Sequence, residues 1–402
     1  MEHDHADLVS RQEAVSRVRI ARNTLLEDRA TEKAVPGDGI RGRVLATDIQ
    51  ATQDSPRWDH ATMDGFAVRA PVTYPVEIVD EVFPEDQPPT IGPGEAVRIA
   101  TGAPLPDRAN AVIRSEDAEV AAGQLEGPDI EPGTYTYQQG TNVEEGETLF
   151  ARGETLGAKD AILLADLGID AVDVYAPLTV GVLATGSEIH EDPSTDYDST
   201  MLLELLRSWG ARPSYEGTVP DSYERVRERV ADLARRYDVV VTTGGTSVGP
   251  KDYVVRALDE LGEIDFHRVR VRPGKPLALA ELDAAFAFAV PGKPFGAYTI
   301  ATLVMRPFFT GSASLPTVDA TASVSLDVGD PDFEYAVPVS LEDGAAMPLG
   351  HPASALEIFD DVFDPSVLSS ATRASRADGA VLTSQGFEAG ETITVVPYEV
   401  LE

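Results

Sequence analysis

The chain has 402 residues, enough for two to four domains, and its 43% hydrophobic content supports real cores. Its 68 acidic against 32 basic residues give a net charge of −36, which excludes nucleic acid and anionic membranes as partners, and no apolar run reaches the roughly 20 residues of a membrane helix. Cysteine is absent, which excludes disulfides, thiolate metal sites, iron–sulfur clusters and a cysteine nucleophile.

The opening residues Met1-Glu2-His3-Asp4-His5-Ala6-Asp7 are acidic and carry no apolar segment, unlike a signal peptide, so a cytoplasmic protein is expected. Leu8, Val15, Val18, Leu25 and Leu26 share a face at helical spacing over residues 7–28, and Pro36-Gly37-Asp38-Gly39 ends that unit. Residues 40–175 read as short strands (43–49, 95–100, 111–114) punctuated by glycine and proline, with an all-β insertion over about 50–140. A helix over 155–167 leads through Gly168 into a strand at 171–175. From 176 to 312 strands and helices alternate. Strands are predicted at 179–184, 238–243, 266–271 and 286–290, with another before Asp221, and helices at 199–209, 222–236, 253–261 and 295–309. The apolar strand runs predict a sheet covered on both faces. After Gly311 strands return (322–328, 335–339, 380–383, 391–397) as a separate small β domain.

The loops of the 176–312 region carry the chemistry. In a parallel sheet, every loop that follows a strand reaches the same edge. There the sequence places Thr185-Gly186-Ser187-Glu188, Asp221, Thr243-Gly244-Gly245-Thr246-Ser247-Val248-Gly249 and Asp252. Glycines let backbone amides approach an anion, and a following helix start adds partial positive charge. No Lys-Ser/Thr follows Gly249, so the turn is not a nucleotide-binding phosphate loop. Glu188, Asp221 and Asp252 would suit Mg²⁺, which takes a few carboxylates together with waters and phosphate oxygens. Each alone is equally a helix-start acid. Pro273-Gly274-Lys275-Pro276 and Pro291-Gly292-Lys293-Pro294 fix two lysines on rigid turns, and three of the five lysines of this chain fall within 251–293. Lys275 and Lys293 are therefore candidate anion contacts. The six histidines show no spacing for a metal site or a catalytic triad. An Asp64-Gly65 turn before alternating apolar residues reads as a hairpin.

Taken together, these segments resemble the MoeA family, the molybdopterin molybdenumtransferases, which includes the E domain of gephyrin. Thr62-Met63-Asp64-Gly65-Phe66-Ala67 is similar to the family's MDGYA segment, and Thr101-Gly102-Ala103-Pro104-Leu105-Pro106 to its TGAPLP. Thr185-Gly186-Ser187-Glu188-Ile189 resembles TGDEL, Gly244 to Gly249 with Asp252 resembles GGVSVG…D, and Arg272 to Pro276 resembles KPGKP. The resemblance implies a multidomain α/β plus β fold, with a MogA-like doubly wound α/β domain, a β insertion domain and a C-terminal β-barrel. It implies domains at 1–49 with 141–175 (N-terminal helix and linking domain), 50–140 (β insertion), 176–312 (molybdopterin-binding α/β domain) and 313–402 (barrel).

It also implies an enzyme of molybdenum cofactor biosynthesis that inserts molybdate into adenylylated molybdopterin and releases AMP, assisted by Mg²⁺ or Zn²⁺. It implies a homodimer, with Asp64 and Thr101 reaching in from the second subunit and a MogA/MoaB-type adenylyltransferase supplying the substrate. Glu188, Asp221 and Asp252 would handle metal and phosphate. Thr185, Gly186, Gly244, Gly245, Ser247 and Gly249 would hold the pterin phosphate, and Pro273, Gly274, Lys275, Pro276, Lys293 and Ser369 would line the oxyanion pocket.

This chain departs from the pattern at Asn142, where many members have an acid, at Asp198-Ser199-Thr200, where the family reads D-x-N, and at Lys293, where it reads Asn. No Arg or Lys lies between Arg306 and Arg373, although the family's C-terminal domain supplies an arginine to the molybdate pocket. These departures support an alternative, a diverged paralogue that binds or scaffolds molybdopterin without inserting metal. The acid-rich, lysine-poor composition reads as that of a halophile.

Overall fold

The structure, a computed structural model, describes residues 8–193, 196–246 and 253–402. The chain divides into two compact units, one of residues 33–41 and 45–173, the other of 1–32, 42–44 and 174–402.

The smaller unit is built on a six-stranded sheet. Its strands are β1 (Gly65–Val68), β2 (Val76–Val82), β3 (Glu95–Ile99), β4 (Ala111–Arg114), β5 (Glu119–Ala121) and β6 (Gln124–Glu126), in the order β4-β1-β3-β2-β6-β5. Side chains alternate across it. Ala67, Val97, Ile99 and Val112 fill one core, and Phe66, Val68, Ala96, Ala111 and Ile113 fill the other. The expected hairpin at Asp64-Gly65 does not form. Gly65 instead opens the central strand β1, flanked by β3 and β4, where a Cβ would collide with the Ile113 carbonyl. Close strand approach, not turn geometry, requires the glycine.

The larger unit begins with α1 (Arg11–Glu27), capped by Ser10, whose hydroxyl accepts from the Glu13 amide at 3.1 Å. Its Ala14, Val18 and Ala21 face the core. A second six-stranded sheet follows. Its elements in chain order are β7 (Thr179–Thr185), α2 (Ser187–Glu191), α3 (Tyr197–Ser208), β8 (Arg212–Val219), α4 (Tyr223–Ala234), β9 (Val239–Thr243), α5 (Tyr253–Leu261) and β10 (Gly262–His267). Then come β11 (Val271–Arg272), which joins another sheet, β12 (Ala278–Leu282), β13 (Ala285–Val290), α6 (Pro294–Ile300) and α7 (Arg306–Thr310). The order is β8-β7-β9-β13-β12-β10, with β8, β7, β9 and β13 parallel and β12 and β10 antiparallel. Val239 and Val241 pack with α1, α3 and the α6–α7 helix, and Val240 packs on the other side with Val226, Val230, Val254 and Leu258. Burial on both faces explains the unbroken apolar strands.

Two predicted elements are corrected. The strand expected at 266–271 ends at His267, because Arg268 adopts φ 79° and turns the chain, so Val271 pairs elsewhere. The helix expected at 295–309 widens into a π-turn over Ala301–Met305 just before Pro307, which has no amide to donate to the preceding turn.

The C-terminal strands are β14 (Val318–Ala322), β15 (Glu334–Glu342), β16 (Ala345–Pro348), β17 (Gly379–Thr383) and β18 (Thr392–Pro397). They run β15-β16-β14-β18-β17, and β17 pairs back onto β15, which closes the sheet into a small barrel. β11 adds in parallel to β15, so the Pro273–Pro276 turn is tied to the barrel on its entering side and runs on into β12 of the α/β sheet. One hydrophobic core runs from the α/β sheet into the barrel.

Candidate functional site

The four parallel strands end on one edge, and their loops touch. After β7, the Gly186 amide donates to the Val219 carbonyl at 3.1 Å, the Asp221 amide donates to Ser187 Oγ at 3.1 Å, and the Ser187 amide donates to Asp221 Oδ2 at 3.4 Å. Glu188 is exposed at the start of α2 and folds over Gly186, where a Cβ would stand 2.7 Å from Glu188 Oε1. Glu188 and Asp221 therefore lie at neighbouring strand ends, as expected. After β9, Gly244 (φ +84°) and Gly245 (φ +65°) press on β7: a Cβ on Gly244 would lie 2.5 Å from the Thr185 carbonyl oxygen, and one on Gly245 would lie 3.1 Å from Thr185 Oγ1. Thr185 Oγ1 donates to the Thr243 carbonyl at 3.0 Å. After β13, Gly292 packs 3.0 Å from the Gly244 Cα when given a Cβ. Ser247, Gly249 and Asp252 lie outside the described residues.

The next loop brings in the barrel. Pro294 starts α6, and the Phe295 and Gly296 amides donate to the Ser369 carbonyl at 2.9 and 3.4 Å. A Cβ on Gly296 would stand 3.4 Å from Ser369 Cβ, 3.7 Å from the Gly274 nitrogen and 3.8 Å from Lys293 Cβ. Gly274, Lys293 and Ser369 thus meet around one glycine. The Lys293 ammonium donates to the Ser366 carbonyl at 2.9 Å, and the Ser369 hydroxyl donates to the same carbonyl at 2.9 Å.

Lys275 belongs to a further group. Its ammonium stands 5.2 Å from the centre of the Phe333 ring, and the Arg272 guanidinium covers that ring at 3.8 Å. Desolvation, then Arg272 and Arg268, hold the Lys275 ammonium below its usual pKa. Phe333 lies just before β15, whose Tyr335 hydroxyl accepts from the Asp330 amide at 2.7 Å. Positive charge therefore does reach the Phe333–Tyr335 region, from the β11 side. Among the described residues no hydrogen bond or ion pair links Lys275 to Glu188 or Asp221, and no three His, Asp or Glu side chains gather as a metal cluster.

In the smaller unit, Asp64 and Thr101 bond to each other. The Thr101 amide and hydroxyl both donate to Asp64 Oδ1, at 2.6 and 2.8 Å. These bonds, the backbone one first, hold the exposed Asp64 below the usual carboxylate range.

Sequence reasoning gave Asp198 no role, and Arg268 and Arg272 too little. Asp198 is 4% exposed, accepts from Thr243 Oγ1 at 3.1 Å through Oδ2, and its Oδ1 has no partner among the described residues. Desolvation raises its pKa to about 6, with a smaller push from Asp196, while the Thr243 bond opposes the rise. It lies under the strand-end loops, since a Cβ on Gly292 would be 3.9 Å from Asp198 Oδ2. The sequence marks it only as the first residue of Asp198-Ser199-Thr200, where the family reads D-x-N.

Two family profiles match the chain: the MoeA N-terminal region (domain I and II) over residues 9–168, and a "probable molybdopterin binding domain" over 181–311. A molybdopterin molybdenumtransferase of Synechococcus elongatus is 32% identical over 295 residues, covering 66% of this chain and 72% of the relative. One from Haemophilus influenzae is 28% identical over 394 residues, covering 89% and 91%. Among solved structures, a molybdopterin biosynthesis MoeA protein of Pyrococcus horikoshii superposes with a TM-score of 0.72 at 27% identity, covering 97% of this chain and 99% of its own. Strand-end loops, barrel and full-length likeness agree, and the chain belongs to the MoeA family of molybdopterin molybdenumtransferases.

Proposed function

We propose that this chain inserts molybdenum from molybdate into adenylylated molybdopterin and releases AMP. The observation that carries the reading is the meeting of the Thr185–Glu188, Asp221, Gly244–Gly245 and Gly292 loops on one sheet edge. The Gly245 amide would donate to a phosphorylated ligand at this edge, while the Gly244 amide is already given to the Val290 carbonyl at 3.1 Å. The Arg272–Lys275 pair on Phe333, with Arg268 nearby, supplies cationic charge for an oxyanion, and takes the place of the arginine missing from the barrel. Lys293 adds charge beside Ser369.

Glu188 and Asp221 suit Mg²⁺ or Zn²⁺, because Mg²⁺ needs only one or two carboxylates beside waters and phosphate oxygens. Asp252 would be the third. Such an ion would neutralise charge on the phosphoanhydride. Attack of water on the AMP phosphorus would break its bond to the bridging oxygen, giving AMP and the free pterin phosphate, while the two dithiolene thiols replace one oxygen of molybdate, which leaves with both thiol protons as water. The side chains bind and orient, and no nucleophilic residue is required. Asp64, kept ionised by Thr101, presents a carboxylate to the same substrate from a second subunit of a homodimer.

We read the chain as four domains (1–49 with 141–175, 50–140, 176–312, 313–402), served by a MogA/MoaB-type adenylyltransferase and working in a salt-rich cytoplasm. Among the described residues no helix is long and apolar enough to cross a membrane. The scaffold-only alternative is not favoured, because the curated relatives carry the transferase name. The test is to incubate the purified protein with adenylylated molybdopterin and molybdate and to measure AMP and metallated cofactor. Binding without AMP release would sink the transferase reading.

A further inference from the structure

Asp198 is buried beside the strand-end loops and takes no part in the chemistry proposed above. It is the second residue of α3, yet the ordinary work of an acid at a helix start is done by its neighbour. The Asp196 carboxylate accepts from the Ser199 amide at 3.0 Å through Oδ1 and from the Tyr215 hydroxyl at 2.8 Å through Oδ2. An acid that served only the helix dipole would do so from solvent. Asp198 instead turns inward, and its hydrogen-bond partner among the described residues is the Thr243 hydroxyl, 3.1 Å from Oδ2. Asparagine would accept the same bond without burying a charge, so the carboxylate is kept against stability. A trade of stability for activity leaves such a group beside a ligand-binding turn.

Thr243 is the last residue of β9, and the turn that follows has little to hold itself. Gly244 and Gly245 are both left-handed and carry no side chain that packing could lock. The turn is therefore held from its flanks. The Gly244 amide donates to the Val290 carbonyl at 3.1 Å, Thr185 Oγ1 donates to the Thr243 carbonyl at 3.0 Å, and Thr243 Oγ1 donates to Asp198. One junction is thus tied to β13, to β7 and to α3. The tie to α3 alone has an acid as its acceptor, and a hydrogen bond to an ionised acceptor is about twice as strong as one between neutral groups. Burial, with a smaller push from Asp196, places the Asp198 pKa at about 6, so this tie is charged at pH 8.

We propose that Asp198 is a positioning residue for the Gly244–Gly245 turn: through the Thr243 hydroxyl it fixes the Thr243–Gly244 junction and so sets the direction of the Gly245 amide. A phosphorylated ligand then meets a donor already aimed at it and loses less freedom in ordering the turn. The positioning stands on this geometry alone. Only its consequence for AMP release rests on the transferase reading.

The test is amide hydrogen exchange at pH 8 in the intact chain, in Asp198→Asn, in Thr243→Val and in the double variant. In Asp198→Asn the Gly244 amide exchanges about fivefold faster, because its flanking tie has lost the charge, while the Val240 and Val241 amides of the same strand exchange more slowly, because the buried charge is gone. A role in stability alone would move all three in one direction. Thr243→Val speeds the Gly244 amide further, and adding Asp198→Asn to it gives no additional increase, since the effect passes through the hydroxyl. In turnover with adenylylated molybdopterin and molybdate, Asp198→Asn raises the KM for the pterin nucleotide about fivefold and leaves the KM for molybdate unchanged. If the native chain released no AMP, the transferase reading would fall and the exchange rates would still decide the role of Asp198. An unchanged Gly244 amide, faster exchange throughout β9, an Asp198→Asn effect that persists in Thr243→Val, or a native KM for the pterin nucleotide in a variant that releases AMP would overturn the proposal.

Discussion

Asp198→Asn isolates the energetic consequence of burying a carboxylate beneath the strand-end loops. In the native chain the group is 4% exposed, its Oδ1 has no partner among the described residues, and its pKa rises from 3.8 to about 6. For an acid, a raised folded pKa means that the folded state holds the proton more tightly, so stability is lost as pH climbs from about 4 to about 6 and stays lost above. A rise of roughly two units corresponds to ~3 kcal/mol once the group is ionised in both states. Asparagine keeps the acceptor for Thr243 Oγ1 and removes the charge. Urea unfolding at pH 5 and pH 8 should therefore show the variant gaining on the native chain by about 1 kcal/mol between those two pH values, and exceeding it most at pH 8. A stability gap that does not change with pH would refute the assigned ionisation, and with it the claim that Asp198 is buried as described.

Four other outcomes follow from the same geometry. Gly244→Ala should destabilise by about 1–3 kcal/mol, read by urea denaturation, because φ is +84° and its Cβ would press on the Thr185 carbonyl. Thr101→Val should raise the Asp64 pKa part of the way to its ordinary value, measured by NMR titration, since the amide bond survives while the hydroxyl bond is lost. Phe333→Leu should cost about 1–2 kcal/mol of stability by removing the ring under Arg272 and Lys275, and should weaken molybdate binding in calorimetry. Lys293→Asn should weaken molybdate about tenfold, and unchanged affinity would remove Lys293 from the oxyanion pocket.

What was legible in the sequence was what short-range physics controls. Valine-rich runs named the strands, because burial on both faces leaves no polar alternation to blur them. Glycines after those strands marked the edge, and Gly244 and Gly245 do adopt the left-handed backbone that only glycine enters freely. The bond between Asp64 and Thr101 was not read from the sequence, which sets the two residues in separate motifs.

Long-range placement was hidden. Arg272 meets Phe333 because two residues, Val271 and Arg272, pair with Glu334 and Tyr335 across the barrel. No local pattern announces that pairing, and the run from Phe266 to Val271 looks like one strand until Arg268 bends it. Asp198 was obscured for a different reason. Among 68 acids an aspartate at a helix start carries no mark of its burial, which comes from packing of α3 against β7, β8 and α6 and from the bond to Thr243.

The most direct test of the strand-end site is Glu188→Gln, which preserves size and removes one negative charge at an exposed position. AMP release from adenylylated molybdopterin in the presence of molybdate should fall by at least a hundredfold, roughly 3 kcal/mol of lost transition-state stabilisation, while the melting temperature stays that of the native chain. Native rates of AMP release by the folded variant would contradict the placement of the reaction at this edge of the sheet.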